Sequence, residues 1–187
     1  MVVLYWAPAR MSRPNAAPGT VIWITGLPGS GKTTLAKKVQ HILLGRTPAV
    51  VRLDGDGFRE VMGNDLGYGM ADRLKNAQRL CRMCRMLSEQ GLHVVCATVS
   101  LFAECHAWNR AHLARYVEVY VRVKSETLIS RDQKGLVAKA LRGAHAEVVG
   151  FDQPFDEPAA PHLVIDNDDG GDPPERSAAR IAALVET

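Results

Sequence analysis

Eight consecutive residues, Gly26-Leu27-Pro28-Gly29-Ser30-Gly31-Lys32-Thr33, fit the pattern G-x-x-x-x-G-K-[ST] and constrain this chain more tightly than any other stretch. Glycines let such a loop curl until consecutive N–H groups converge on phosphate oxygens. A lysine in the position of Lys32 reaches the β- and γ-phosphates, and the hydroxyl of Thr33 is offered to Mg²⁺. The motif requires a strand before it and a helix after it. Val21–Thr25 is an apolar run of strand length, and from Thr34 to Leu44 apolar residues recur at 35, 36, 39, 42 and 43, which is helical spacing. That helix aims the positive end of its dipole at the same anion. The expectation is a nucleoside triphosphate site, with Gly26 to Thr33 and Thr34 around the phosphates.

The remaining chain predicts an α/β protein. Apolar runs at Ala49–Asp54, His93–Thr98, Val117–Val123 and His162–Asp166 read as further strands. Helical patterns fall between them, at Phe58–Met62, Asp72–Gln90, Glu104–Arg115, Glu126–Ser130 and Pro173–Val185. Strands alternating with helices imply a three-layer sandwich, with a five-stranded, mainly parallel sheet covered on both faces. Residues 1–18 carry no periodicity and read as a lead-in, leaving 19–187 as one domain. Residues 131–158 hold little regular pattern beyond a short helix near Leu136 to Arg142. A stretch of that length without a core face is expected to serve as a lid.

Composition narrows the function classes. A formal net charge of +3 on 187 residues is too small to argue for nucleic acid, and an anionic small substrate accounts for it equally well. No apolar stretch approaches a membrane span and the N-terminus lacks the form of a signal peptide, so a cytoplasmic protein is expected. Cys81 and Cys84 form a C-x-x-C within a helical pattern, without a second such pair, and read as free thiols rather than a metal site. A guanine-reading N-K-x-D is missing, so the D-x-x-G at Asp54–Gly57 is weak evidence for a switch GTPase. A phosphate cradle, acids near an acceptor hydroxyl and a cationic lid describe a small-molecule kinase.

Several ordered motifs sharpen this: Leu-Asp-Gly-Asp-x-x-Arg at 53–59, Leu-Gly-Tyr-x-x-x-Asp-Arg-x-x-Asn-x-x-Arg at 66–79, and Ser100 with Arg110. Arg-Asp-x-Lys-Gly-Leu follows at 131–136, and Gly-x-Asp-x-Pro-Phe-x-x-Pro at 150–158. Together with the phosphate loop they resemble the adenylylsulfate kinase family from about Val21 to Ile165. The resemblance implies a kinase that uses MgATP to phosphorylate the 3′-hydroxyl of adenosine 5′-phosphosulfate. It makes Asp56 the candidate base, or a group ordering Mg²⁺ together with Thr33. Asp54 and Arg59 would orient the acceptor, Tyr68 would stack on its base, and Arg73 and Asn76 would grip its phosphate and sugar. Val99, Ser100 and Leu136 would complete the acceptor pocket, and Arg131 and Lys134 would close over the ATP phosphates. Ser100 matches a serine described as a phosphoserine intermediate. In-line transfer needs no covalent step, so Ser100 is read here as an anion-contacting hydroxyl. Relatives often form homodimers.

Departures from the family pattern cluster at the acceptor. An arginine is replaced by Ala103, an Asp-Arg pair by Cys105 and His106, and a lysine and a second stacking aromatic by Ala146 and Val148. A charge-assisted contact is worth about 1.5–3 kcal/mol and a stacking face about 0.5–1.5 kcal/mol, enough together to change acceptor preference. Three readings therefore stand: an adenylylsulfate kinase with a relaxed pocket, a kinase for another nucleotide such as cytidine diphosphoramidate, and an idle ATP-binding module. Asp56→Asn separates the last from the others, since only an enzyme has turnover to lose.

Overall fold

In the computed structural model, residues 17–131, 135, 148–151 and 153–185 are described. The expected helix near 136–142 and the positions Lys134, Leu136 and Ala146 lie outside them. Five strands, β1 (Val21–Thr25), β2 (Val50–Asp54), β3 (His93–Thr98), β4 (Tyr116–Arg122) and β5 (Leu163–Asp166), form one sheet in the order β2-β3-β1-β4-β5. Every pairing is parallel. The helices are α1 (Lys32–Leu44), α2 (Gly55–Val61), α3 (Met70–Ser88), α4 (Ala103–His112), α5 (Ser125–Ser130) and α6 (Pro174–Ala182).

The central strand shows why the sheet is covered on both faces. All five residues of β1 are buried, and their alternation sends Ile22 and Ile24 to one side and Val21 and Trp23 to the other. Ile22 and Ile24 pack with Leu35, Val39 and Leu43 of α1 and with Ala178 and Ile181 of α6. Val21 and Trp23 pack with Leu80, Cys81 and Cys84 of α3 and with Cys105 of α4. The C-x-x-C is thus part of an apolar layer. The neighbouring Cys105 thiol and burial hold Cys81 far above the ordinary thiol range, while burial, reinforced by Cys84, does the same to Cys96. Such thiols carry little thiolate and are chemically quiet.

Element ends moved for local reasons. Helix α2 begins at Gly55 rather than Phe58, because the Asp54 carboxylate caps it by accepting from the Asp56 N–H at 3.2 Å. Helix α3 begins at Met70, and Asp72 in its first turn accepts from the Gly67 N–H at 2.9 Å. Helix α4 stops at His112 rather than Arg115, since Leu113 turns extended (φ −98°, ψ 121°) to feed β4. The register aligns Thr25 with Thr98 and Tyr120, and Asp54 with Ala97. The phosphate loop, both acids and Ser100 consequently converge at the carboxyl ends of the strands, where doubly wound sheets bind ligands.

Candidate active site

The loop between β1 and α1 is shaped by backbone that only glycine accommodates cheaply. Gly31 has φ +93°, and a Cβ there would stand 2.6 Å from Asn167 Nδ2. Asn167, the first residue after β5, donates that amide to the Ser30 carbonyl at 2.9 Å and clamps the loop from the carboxyl end of the edge strand. Lys32 is only 8% exposed and curls back into the loop, donating to the Leu27 carbonyl at 2.7 Å and to Ser30 Oγ at 3.3 Å. Burial pushes its ammonium down to about 8, against the opposing pull of Asp56 and then Asp54. Both carboxylates therefore act on the Lys32 cation.

The two acids divide their work. Asp54 accepts from the Thr33 hydroxyl at 3.0 Å through one oxygen and caps α2 through the other. Asp56, one residue into α2, is exposed at the mouth of the site. Thr33 and the paired acids form a hard-oxygen donor set of the kind that suits Mg²⁺ shared with substrate phosphates.

Beyond α2 a second arm forms around Tyr68, a residue 52% exposed. The Arg59 guanidinium lies 4.8 Å and that of Arg73 5.4 Å from its ring centroid. Arg59 itself is buried and donates to the carbonyls of Leu66 and Gly67 at 3.2 and 2.9 Å, so it shapes the loop beneath the ring. Arg73 Nε donates to the Tyr68 carbonyl at 2.6 Å. Asn76, buried one turn further along α3, shares the face of Arg73. Arg79 forms a two-pronged ion pair with Asp65 at 2.7 and 2.8 Å, bracing the 63–69 loop against α3.

At the end of β3, Ser100 is 5% exposed and its Oγ lies 2.7 Å from Thr98 Oγ1. Val99 beside it packs in an apolar cluster with Leu27, Leu101 and Tyr120. Arg131 donates to the Asn167 carbonyl at 2.8 Å and to Asp169 at 2.6 Å, which ties the start of the 131–147 segment to the β5–α6 loop. The turn at 148–155 closes the site. Gln153 Nε2 donates to the Tyr68 carbonyl at 3.2 Å, and Gly150, Phe151, Gln153, Pro154 and Phe155 line an open cavity of about 430 Å³.

A model of the adenylylsulphate kinase family matches residues 18–166. The chain belongs to the adenylylsulfate kinase family. Members are phosphotransferases acting on a hydroxyl. The cytidine diphosphoramidate kinase of Campylobacter jejuni is 40% identical over 147 residues, spanning 79% of this chain and 85% of that one. An adenylyl-sulfate kinase of Geotalea uraniireducens is 39% identical over 168 residues, spanning 89% and 80%. Among solved structures, the Mycobacterium tuberculosis APS kinase CysC in complex with AMPPNP and APS superposes with a TM-score of 0.81 at 33% identity, covering 89% of this chain and 97% of that chain.

Within this family frame, the departures have structural consequences. Ala103 offers only its backbone N–H, which donates to Asp156 Oδ2 at 3.0 Å, and Val148 is buried at 4% exposure. Neither position supplies a cation or a stacking face. Sequence reasoning also missed one pairing and two residues. The pairing of Asp54 with Thr33 depends on where α2 starts, which no motif states. Asn167 stands at a strand's carboxyl end, a placement that could have marked it. Gln153 is a polar residue in a proline-flanked turn, with no sequence signal of its own.

Proposed function

We propose that the protein transfers the γ-phosphoryl group of MgATP to the 3′-hydroxyl of adenosine 5′-phosphosulfate. The observation that carries this reading is the convergence of Lys32, Thr33, Asp54 and Asp56 at one end of the sheet, with the exposed Tyr68 carried on the arm that follows α2. Lys32 swings from the Leu27 carbonyl onto the β/γ oxygens, with loop N–H groups around it. Thr33 and the acids would hold Mg²⁺, which would supply positive charge to offset that of the phosphates. Tyr68 stacks on the acceptor base, and Arg73 and Asn76 hold its phosphate and sugar. Asp56 accepts the 3′-hydroxyl proton as that oxygen bonds to phosphorus and the bond to the ADP oxygen breaks. Charge spread over the transferring oxygens is met by Lys32 and by the cations at Arg131 and Lys134. Ser100, sealed against Thr98, supports a positioning role in direct transfer rather than a phosphoserine step.

A second acceptor, cytidine diphosphoramidate, is favoured by one specific feature. Ala103 and Val148 remove a cation and an aromatic face from the acceptor side while the ATP side is whole. The relative from Campylobacter jejuni, named for that substrate, supports it. Initial-rate assays with MgATP and each acceptor decide between them. A kcat/KM of about 10⁴ M⁻¹s⁻¹ or more for adenosine 5′-phosphosulfate upholds the first reading. Asp56→Asn is expected to lower kcat about 10²–10⁴-fold with ATP affinity kept. Retained turnover in that variant would remove Asp56 from the role of base.

A further inference from the structure

Residues 99–102, between β3 and α4, belong to no strand or helix, so their buried backbone groups must find partners outside the sheet ladder. For the Ser100 carbonyl that partner is His106, one turn into α4, whose Nε2 lies 2.9 Å away. A carbonyl only accepts, so Nε2 carries the hydrogen. The imidazole has little freedom to turn away. Its side chain is 3% exposed, and the fully buried carboxylate of Glu118 stands 3.4 Å from Nδ1, held in turn by Arg110 at 2.6 Å. On the other side, Ser100 reaches toward the paired acids. Its Oγ lies 2.7 Å from Thr98 Oγ1, and a Cβ built on Gly55 would stand 3.1 Å from that same Thr98 oxygen. Gly55 is the first residue of α2, and Asp56 is the next. Direct contacts thus run from His106 through Ser100 and Thr98 to the start of the helix that carries Asp56.

We propose that His106 is a positioning residue for phosphoryl transfer: its Nε2–H fixes the Ser100 carbonyl, and with it the strand end against which α2 seats Asp56. This rests on the reading of Asp56 as the base that takes the acceptor proton. His106 touches neither nucleotide nor acceptor. It acts by keeping the backbone after β3 from shifting, because a base displaced by about 1 Å loses much of its effect on the rate while substrates still bind. The two ring nitrogens divide the work. Nε2 holds the segment that positions Asp56, and Nδ1 faces Glu118, which keeps the ring in place.

Two substitutions separate those nitrogens. Glutamine places an amide NH₂ near the position of Nε2 and can still donate to Ser100, whereas asparagine places one near Nδ1 and serves only the Glu118 side. Initial rates are measured with MgATP and whichever of adenosine 5′-phosphosulfate and cytidine diphosphoramidate the wild type uses. His106→Asn is expected to lower kcat about tenfold, with KM for both substrates within about twofold of wild type. His106→Gln should keep kcat within about threefold. Unchanged affinity for a non-hydrolysable ATP analogue verifies that each variant is folded. Should the asparagine variant not fold, His106→Leu, which fills the same space without a donor, carries the same expectation. A kcat equal in wild type and both variants, or as low in the glutamine variant as in the asparagine one, overturns the role of His106 and leaves the kinase reading standing. Transfer to neither acceptor by the wild type overturns the kinase reading, and this proposal with it.

Discussion

Lys32 carries the most specific chemistry of any single residue in the structure. Its place in the loop was legible in the sequence, because the G-x-x-x-x-G-K-[ST] spacing sets the lysine at the start of the helix that follows the last glycine. Its protonation was not, because that depends on burial and on two carboxylates brought from the end of β2 and the start of α2. With its value pushed down to about 8, the free enzyme at pH 8 holds Lys32 half-protonated. Phosphate oxygens favour the charged form and draw that value back up, so the nucleotide complex binds more protons than its separate components. Nucleotide affinity should therefore fall as pH rises through about 8. Calorimetric titration at pH 8 in two buffers of different ionisation enthalpy is expected to show uptake of roughly half a proton per nucleotide bound. The Lys32→Arg variant, charged throughout, should show none of it. Equal heats in both buffers for the wild type would mean that Lys32 is already fully charged in the empty loop.

At the scale of elements, apolar periodicity located all five strands to within a residue or so, because a sheet buried on both faces leaves little room for polar residues. It failed where a side chain outside the pattern decides the boundary, as Asp54 does for α2. It was also blind to Glu118, a fully buried carboxylate in the middle of β4. Glu118 receives Arg110 of α4 at 2.6 Å and the Tyr116 hydroxyl at 3.2 Å, and His106 Nδ1 lies 3.4 Å away. The other ring nitrogen of His106 is 2.9 Å from the Ser100 carbonyl, which ties the network to the end of β3. A pair with one partner fully buried is poor evidence of net stabilisation, but removing the exposed partner leaves the buried carboxylate without its countercharge. Arg110→Ala is expected to cost about 3 kcal/mol in denaturant unfolding, near the low end of such losses because Arg110 is partly exposed. Adding Glu118→Gln removes the stranded charge and should recover about 1 kcal/mol or more. Strict additivity of the two substitutions would show that the pair is not coupled.

Across the whole molecule, the motifs in the sequence specified an ATP half and an acceptor half, yet did not say how the two communicate. A third apolar cluster at the carboxyl end of the sheet supplies the connection, joining Leu27 of the phosphate loop, Leu101 after β3, and Val149 and Phe151 of the closing turn. Within it, Gly150 has φ +88°, and a Cβ there would lie 2.6 Å from Leu27 Cδ2. The Leu27 carbonyl holds Lys32, and Gln153 holds the Tyr68 backbone, so a line of contacts runs from the phosphate loop through the turn to the aromatic arm. Nucleotide that draws Lys32 off that carbonyl would leave Leu27 without this hydrogen bond and would free it to shift against the turn packed on it. Binding at one half should consequently alter affinity at the other, and by the same factor in both directions. Titration of a 3′-deoxy acceptor with and without a non-hydrolysable ATP analogue is expected to differ by about fivefold or more. Gly150→Ala forces a side chain into left-handed backbone and into Leu27, at a cost of about 1–2 kcal/mol in stability. In that variant the two titrations should approach one another while each ligand still binds alone. A variant that loses stability but keeps the full difference would show that coupling passes elsewhere, and that the turn serves only to close the acceptor pocket.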